Sequence, residues 1–371
     1  MALNATTFSG KQFKVHIASE IVTGTFNNDD ADWRRIDVEG ITFPNFNPTQ
    51  EFEMRTGSGR IAEFDQVFSS TKRVMTEFTL SGRLTQEAWI YFTENACGSL
   101  YDGGTGSDSI LTLDENYVGQ SFKVGTNPTD SQYDKLLSVY FEAPTAADSY
   151  SMASCVVTNF SIDADMDSAA GRFNYTATLQ TQSTPAKGAV TSTDSDAIGT
   201  NFLYLSLWDE RNIDIKDYAS DGTTDQDDIT PLFKTFNFSI DNPTQFLGAT
   251  GTNGTPEVWA KQLPELSITY GGSLKYDDET DNMVEAFRDP SGSSYLTLYL
   301  SDIPVTGTTE TPTGDFFDGT SAVKFGIWAG KAKLTSCEVS SDDVAMVNFE
   351  AKVLAPAGAV DTLHLLGGDN N

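Results

Sequence analysis

The segments EFTLSGRL, residues 77–84, and SITYGGSL, residues 267–274, carry apolar side chains at alternate positions and align with each other at an offset of 190. Alternation with period two marks a strand with one buried face, and recurrence in fixed order marks a repeated unit. Outward from this pair the matches continue. Asn47-Pro48-Thr49-Gln50 returns as Asn242-Pro243-Thr244-Gln245, 195 residues on, and at that offset Gly59 meets Gly254 and Phe64 meets Trp259. Cys155 in SCVVTNFSI aligns with Cys337 in SCEVSSDDV, and upstream FKVHIASE at 13–20 aligns with LYLSLWDE at 203–210. A chain of 371 residues is long enough for two cores. These matches predict two copies of one domain, at 1–182 and 201–356. A small polar linker at 183–200 joins them, and a tail at 357–371 follows.

Most other periodic segments also alternate: FKVHIAS at 13–19, LLSVYFEA at 136–143, CVVTNFSI at 155–162 and RFNYTATLQT at 172–181. TQEAWIYFTENACG at 85–98 breaks the pattern. Thr85 is placed as N-cap, Ala88, Trp89, Phe92 and Ala96 fall at helical spacing, and Gly98 is a terminator. The second copy repeats this with DDETDNMVEAFRDPSG, whose stripe is Met283, Ala286 and Phe287 and whose stop is Pro290. The expected fold is mainly β (α+β): two tandem β-sandwich domains, each with one flanking helix and one long loop. The loops follow the NPTQ motifs and run for about 20 residues, beyond the length at which a structureless connection is common. They carry Phe64 and Phe68 in one copy and Val258 and Trp259 in the other. Apolar groups in a solvated loop need something to dock on. These four residues either fold back on their own domain or contact another subunit, and they are the candidate assembly contacts.

Charge excludes one class of partner. Lys+Arg total 23 against Asp+Glu 53, a net charge of −30, with 13 against 26 over residues 1–200 and 10 against 27 over the rest. So acidic a surface has no counterion-release route to gripping a polyanion, and both copies share it. The three cysteines have no C-x-x-C spacing, so neither a disulfide framework nor a zinc ribbon is expected and a reducing cytoplasm is the natural compartment. MALNATTFSGKQ lacks the basic-then-apolar order of a secretory signal, and no stretch nears the roughly 18 apolar residues of a membrane span.

Catalytic chemistry finds little purchase. His16 falls in a predicted strand and His364 in the tail, with no nucleophile motif beside either. Asp163, Asp165 and Asp167 imitate the start of a calcium loop, but Ser168 stands where that loop needs Gly and Asn174 where it needs Glu, so a hairpin turn is expected. GTGSDS at 104–109 and TGSGR at 56–60 lack the lysine and the glycine spacing of nucleotide loops. With 53 carboxylates, glycosidase-like pairs arise everywhere by number alone. The reading is no enzyme, with no catalytic, cofactor or metal residues.

A β-sandwich with one flanking helix, a long loop, and a closing hairpin of the SCVVTNFSIDADMD…GRFNYTATLQTQS type resembles the tail tube (major tail) proteins of long-tailed bacteriophages. Two such units in one chain resemble the subset with a duplicated tube domain. The likeness covers about 11–182 and 202–356 and rests on architecture rather than on a diagnostic signature; the second closing hairpin, CEVSSDDVAMVNFEAKVLAP, is shorter. The resemblance implies a virion structural protein, made and assembled in the host cytoplasm. It further implies homotrimeric rings with pseudo-sixfold symmetry that stack into a tube, with adjacent sheets joined around the bore. Implied partners are further copies of the chain and the tape-measure, tail-tip and tail-terminator proteins. The resemblance also implies that DNA passes through during ejection without specific binding and that no membrane is involved. The resemblance places inter-ring contact on Phe64, Phe68, Val258 and Trp259, and it gives the acidity a purpose, since an anionic wall repels phosphate. The alternative is a tandem β-sandwich binding module that decorates a capsid or adheres to carbohydrate.

Overall fold

The computed structural model describes residues 12–20, 26–27, 33–44, 49–52, 67–70, 76–97, 102–103, 108–113, 121–123, 136–181, 185–188, 206–207, 213–218, 225–229, 233–250, 256–262, 266–288, 295–301, 325–340, 344–354 and 363–368. The first half contains β1 (Lys14–Ser19), β2 (Arg34–Ile36), β3 (Gly40–Thr42), β4 (Thr49–Phe52), β5 (Val67–Ser70), β6 (Thr76–Arg83) and α1 (Gln86–Cys97). It continues with β7 (Asp102–Gly103), β8 (Asp108–Leu113), β9 (Ser121–Lys123), β10 (Leu137–Glu142), β11 (Tyr150–Asp165), β12 (Asn174–Thr181) and β13 (Ala186–Lys187). Then follow β14 (Ile213–Tyr218), β15 (Asp225–Ile229), β16 (Phe233–Asp241), β17 (Thr244–Thr250), β18 (Pro256–Gln262), β19 (Ser267–Lys275) and α2 (Asp278–Arg288). The chain closes with β20 (Tyr295–Ser301), β21 (Phe325–Ser340), β22 (Met346–Val353) and β23 (Leu363–Gly368). The fold is mainly β and antiparallel.

One pairing order occurs in both halves. β1 lies between β2 and β10, β10 passes to β11, and β11, β12, β6 and β3 follow side by side. In the second half β14 lies between β15 and β20, β20 passes to β21, and β21, β22, β19 and β16 follow. Alternation drives this: Phe78 and Leu80, Tyr175, Ala177 and Leu179, and Phe160 and Ile162 turn to the core while Thr, Ser and Asn between them face out. Across the core, Phe78 of β6 meets Phe141 of β10 edge-on at 5.8 Å.

β11 serves two layers, pairing with β10 through its first rungs and with β12 after. Where it crosses, the register to β10 breaks and Ser154 takes a φ of +55°. The buried carboxylate of Glu20 accepts the Ser154 N–H at 2.5 Å, and Thr181 Oγ1 donates to the Ala153 carbonyl at 2.7 Å. β21 breaks register against β20 in the same way, and there Thr297 Oγ1 donates to the Gly330 carbonyl at 2.6 Å. Such bulges redirect a strand and raise its twist.

The helices start where the sequence places them. Thr85 Oγ1 accepts the Ala88 N–H at 3.2 Å to cap α1, and Asp277 Oδ1 accepts the Thr280 N–H at 3.1 Å to cap α2. The stripe on α2 differs from expectation: Met283 and Val284 are buried, whereas Phe287 is 39% exposed. Gly98 and Pro290 lie outside the described residues.

Several alignments shift once register is seen. Ile41 pairs with Leu80 and Phe238 with Tyr270, so Ile41 matches Phe238, at an offset of 197 rather than 195. A slip of two keeps every side chain on its own face, which hides it from the alternation pattern. Cys155 stands opposite Leu137 on β10 and Cys337 opposite Phe349 on β22, so the two cysteines are not counterparts. The strand in the position of β1 is Ile213–Tyr218, not 203–210. The expected tail contains β23, whose Leu363 and Leu365 are fully buried, and His364 lies in that strand. In the expected linker, Ala186 and Lys187 pair with Ser151 and Tyr150, while 189–200 lies outside the described residues. Asp163 and Asp165 close β11 and the Asp167 N–H bonds back to Asp165 Oδ1 at 2.8 Å, the hairpin turn the sequence predicts.

Candidate assembly surface

The halves meet strand to strand. β11 and β16 run antiparallel over rungs from Asn159 opposite Asp241 to Asp165 opposite Thr235. The sequence contains NFSID twice, at 159–163 and 237–241, and these two pentapeptides pair with each other, centred on Ser161 opposite Ser239. Phe160 therefore faces Ile240 and Ile162 faces Phe238, all four fully buried. Trp89 of α1 holds both copies of the pentapeptide, with its ring 5.9 Å from Phe160 and 6.5 Å from Phe238, and touches Phe325 at 4.6 Å. Asn242, the first residue of the second NPTQ motif, extends the seam. Its N–H donates to the Thr158 carbonyl at 2.8 Å and its Nδ2 to the Val157 carbonyl at 2.9 Å. A second strand pair links the halves where β23 runs between β21 and β8, and a third where β9 adds to β18.

The result is a run of eight strands within a larger sheet, in the order β3, β6, β12, β11, β16, β19, β22, β21. Its outer face is lined with short polar groups. On a single rung Ser81, Thr176, Ser161, Ser239 and Thr269 stand in adjacent strands, and Ser239 and Thr269 share a hydroxyl hydrogen bond of 2.9 Å. The carboxylates here, Asp163, Asp165, Glu77, Asp241, Glu338 and Glu350, are interleaved with Arg83, Lys275, Lys333 and Lys352 rather than massed. Partial burial holds the Asp163 carboxyl above the ordinary range, against a hydrogen bond from Asn174 that lowers it.

Of the four sequence-predicted contact residues, the three that are described lie in strands outside this sheet. Phe64 lies outside the described residues. Phe68 is in β5, opposite Glu51 of β4, so this part of the expected loop is a strand pair. Val258 and Trp259 are adjacent in β18, Val258 opposite Gly248 and Trp259 between Leu247 and Lys123, in a small sheet with β17 and β9. The two ribbons leave at matching points, between β3 and β6 and between β16 and β19, but Phe68 and Trp259 belong to separate sheets. Sequence reading missed the seam, although the doubled NFSID was there to find.

The interior also holds titratable groups. His16 is buried with Nε2 2.8 Å from Glu142 Oε2, and its ring lies 5.8 Å from Tyr140. Burial pushes the Cys97 thiol up to about 12 and Cys337 up to about 11; it raises Cys155 as well, with the Glu20 charge adding to it. A thiol so held is a poor nucleophile. In native protein at about pH 8 all three cysteines are expected to resist a disulfide-exchange reagent, and all three to react at once in denaturant. Rapid labelling of any one without denaturant would contradict the burial. Among the described residues no group of three or more His, Cys, Asp or Glu is placed to hold a metal ion, and no helix is long and apolar enough to cross a membrane. No protein-family model matches the chain, and no curated protein matches it in sequence.

Proposed function

We propose that the chain is a structural subunit that polymerises: two copies of one tube-type β-sandwich domain, fused, whose rings stack into the tail tube of a long-tailed bacteriophage. The observation that carries this reading is the eight-strand run, made of two four-strand blocks in the same order and joined edge to edge. A unit that continues its own sheet through a second copy of itself has an edge at each end for further copies. Three chains then supply six blocks to a ring. The polar outer face supports a lining role, because hydroxyls and amides with interleaved charge offer a duplex no cationic track to bind. The net −30 of the chain adds a repulsive background. On this reading the protein works in the virion tail, after synthesis in the host cytoplasm, and its partners are itself and the tape-measure, tail-tip and tail-terminator proteins.

Negative-stain images of concentrated protein are the test. Rings or hollow filaments are expected, and dispersed two-lobed particles would favour the binding-module alternative. In the same preparation Trp259→Asp should leave the circular dichroism unchanged and reduce filament length, since stacking is assigned to the ribbons that carry Phe64, Phe68, Val258 and Trp259. Filaments of normal length from that variant would remove β18 from the stacking contact.

A further inference from the structure

The two ends of the eight-strand run keep the chemistry of the seam at its centre. Position by position, β6 and β19 correspond through EFTLSGRL and SITYGGSL. Thr79 and Thr269 are counterparts, and their partners Thr42 and Ser239 are therefore counterparts too. Ser81 and Gly271 lead in the same way, through Thr176 and Glu350, to Ser161 and Ser336. Ile41-Thr42-Phe43 thus occupies the place of Phe238-Ser239-Ile240. On the other edge Leu334, Ser336, Cys337 and Glu338 occupy the places of Phe160, Ser161, Ile162 and Asp163, with Thr335 as the extra residue of a register break. The apolar–hydroxyl–apolar pattern survives on both edges.

Exposure separates the ends from the centre. Ile240 is 0% exposed, and its counterpart Phe43 is 38% exposed; Ala164 is 2% exposed, and its counterpart Val339 is 41% exposed. Phe43 is held in place, with its ring 4.9 Å from Phe13 and 5.7 Å from Phe141. Among the described residues no strand pairs with the outer side of Ile41–Phe43 or of Leu334–Val339. The Asn242 bond to Thr158 sets the phase of the internal ladder, so Phe160 and Ile162 exchange hydrogen bonds with Ile240 and Phe238. By the same phase the backbone groups of Ile41 and Phe43 point outward.

We propose that these two edges pair with each other between copies of this chain. Leu334–Glu338 of one copy lies antiparallel to Ile41–Phe43 of the next, with Leu334 opposite Phe43, Ser336 opposite Thr42 and Cys337 opposite Ile41. The occupant of each edge is the opposite edge of a second copy, a heterologous contact that propagates or closes a ring. The inference rests on the self-assembly reading and specifies its register.

Ser336 and Thr42 meet at a non-hydrogen-bonded rung, where Cα atoms approach to about 4.5 Å, within disulfide reach. Full-length Thr42→Cys and Ser336→Cys chains, mixed and oxidised, should give a reducible heterodimer on a gel, with neither chain alone dimerising beyond wild type. Ser161→Cys with Ser239→Cys in one chain is the internal control and should close without dimerising. Thr42→Cys mixed with Glu338→Cys, out of register by two, should cross-link about tenfold less. Independently, Val339→Asp should cut sedimentable assemblies about tenfold while the circular dichroism holds. Closure of the internal control without the heterodimer overturns the proposal, and so does Thr42→Cys cross-linking to itself. Cross-linked chains that image as flat ribbons would uphold this register and defeat the tube. Hollow tubes without the cross-link would uphold the tube and defeat the register.

Discussion

Trp89→Ala is expected to lower the free energy of unfolding by about 3–5 kcal/mol, a large share of the roughly 5–15 kcal/mol that holds a typical domain. The indole is fully buried and rests on Phe160 from one NFSID, Phe238 from the other, and Phe325 from β21. Truncation removes the largest side chain of α1 and leaves a void that strands on both sides of the seam are too constrained to fill, because their backbones are hydrogen-bonded to each other. Urea unfolding followed by circular dichroism should show a lower midpoint with an unchanged slope. Trp89→Phe should recover part of the loss by retaining an aromatic contact. A loss below about 1 kcal/mol for the alanine variant would mean that the indole does not seat the seam.

Gly272→Ala should be as damaging, for a different reason. Gly272 has a φ of +156°, and a Cβ added there would stand 2.0 Å from the backbone oxygen of Thr235, which cannot swing aside as a flexible side chain could. Its counterpart Gly82 meets the same obstacle, since a methyl group at that position would stand 2.4 Å from the Asp37 backbone oxygen. Each glycine faces an aromatic across the ladder, Tyr175 opposite Gly82 and Phe349 opposite Gly272, and the Tyr175 hydroxyl donates to that Asp37 carbonyl at 2.7 Å. The glycine admits the crossing backbone and the aromatic covers the bare site. Strain and overpacking together should cost about 3 kcal/mol or more. Gly188→Ala is the comparison: its φ is +139° but nothing lies within 4 Å of the added carbon, so only the backbone cost of about 1–3 kcal/mol applies. Equal losses at the two positions would remove the steric argument.

Alternation carried the sequence reading as far as strand identity and facing. RFNYTATLQT and EFTLSGRL announce β12 and β6, and Thr85 announces α1, because each of these signals is local. The pairing of β11 with β16 is set by strand edges far apart in the chain, and edges leave no trace in a pattern of faces. The same blindness explains β23: LHLL looks like part of a tail until β21 and β8 flank it. Phe287 misled because helical spacing reports a stripe but not whether anything lies against it. The candidate surface was half legible. Its ribbons were found as long apolar-bearing segments, whereas its edges, Ile41–Phe43 and Leu334–Val339, differ from buried strands only in that no described strand covers them.

Joining the two NFSID strands by a covalent chain gives that contact an effective concentration of order millimolar at any dilution. It forms in a first-order step, as fast in a trace of protein as in a paste. The contact proposed between separate chains would instead follow second-order kinetics and wait on encounter. Fusion thereby makes every second contact of the proposed ring intramolecular, and leaves the remainder to encounters between chains.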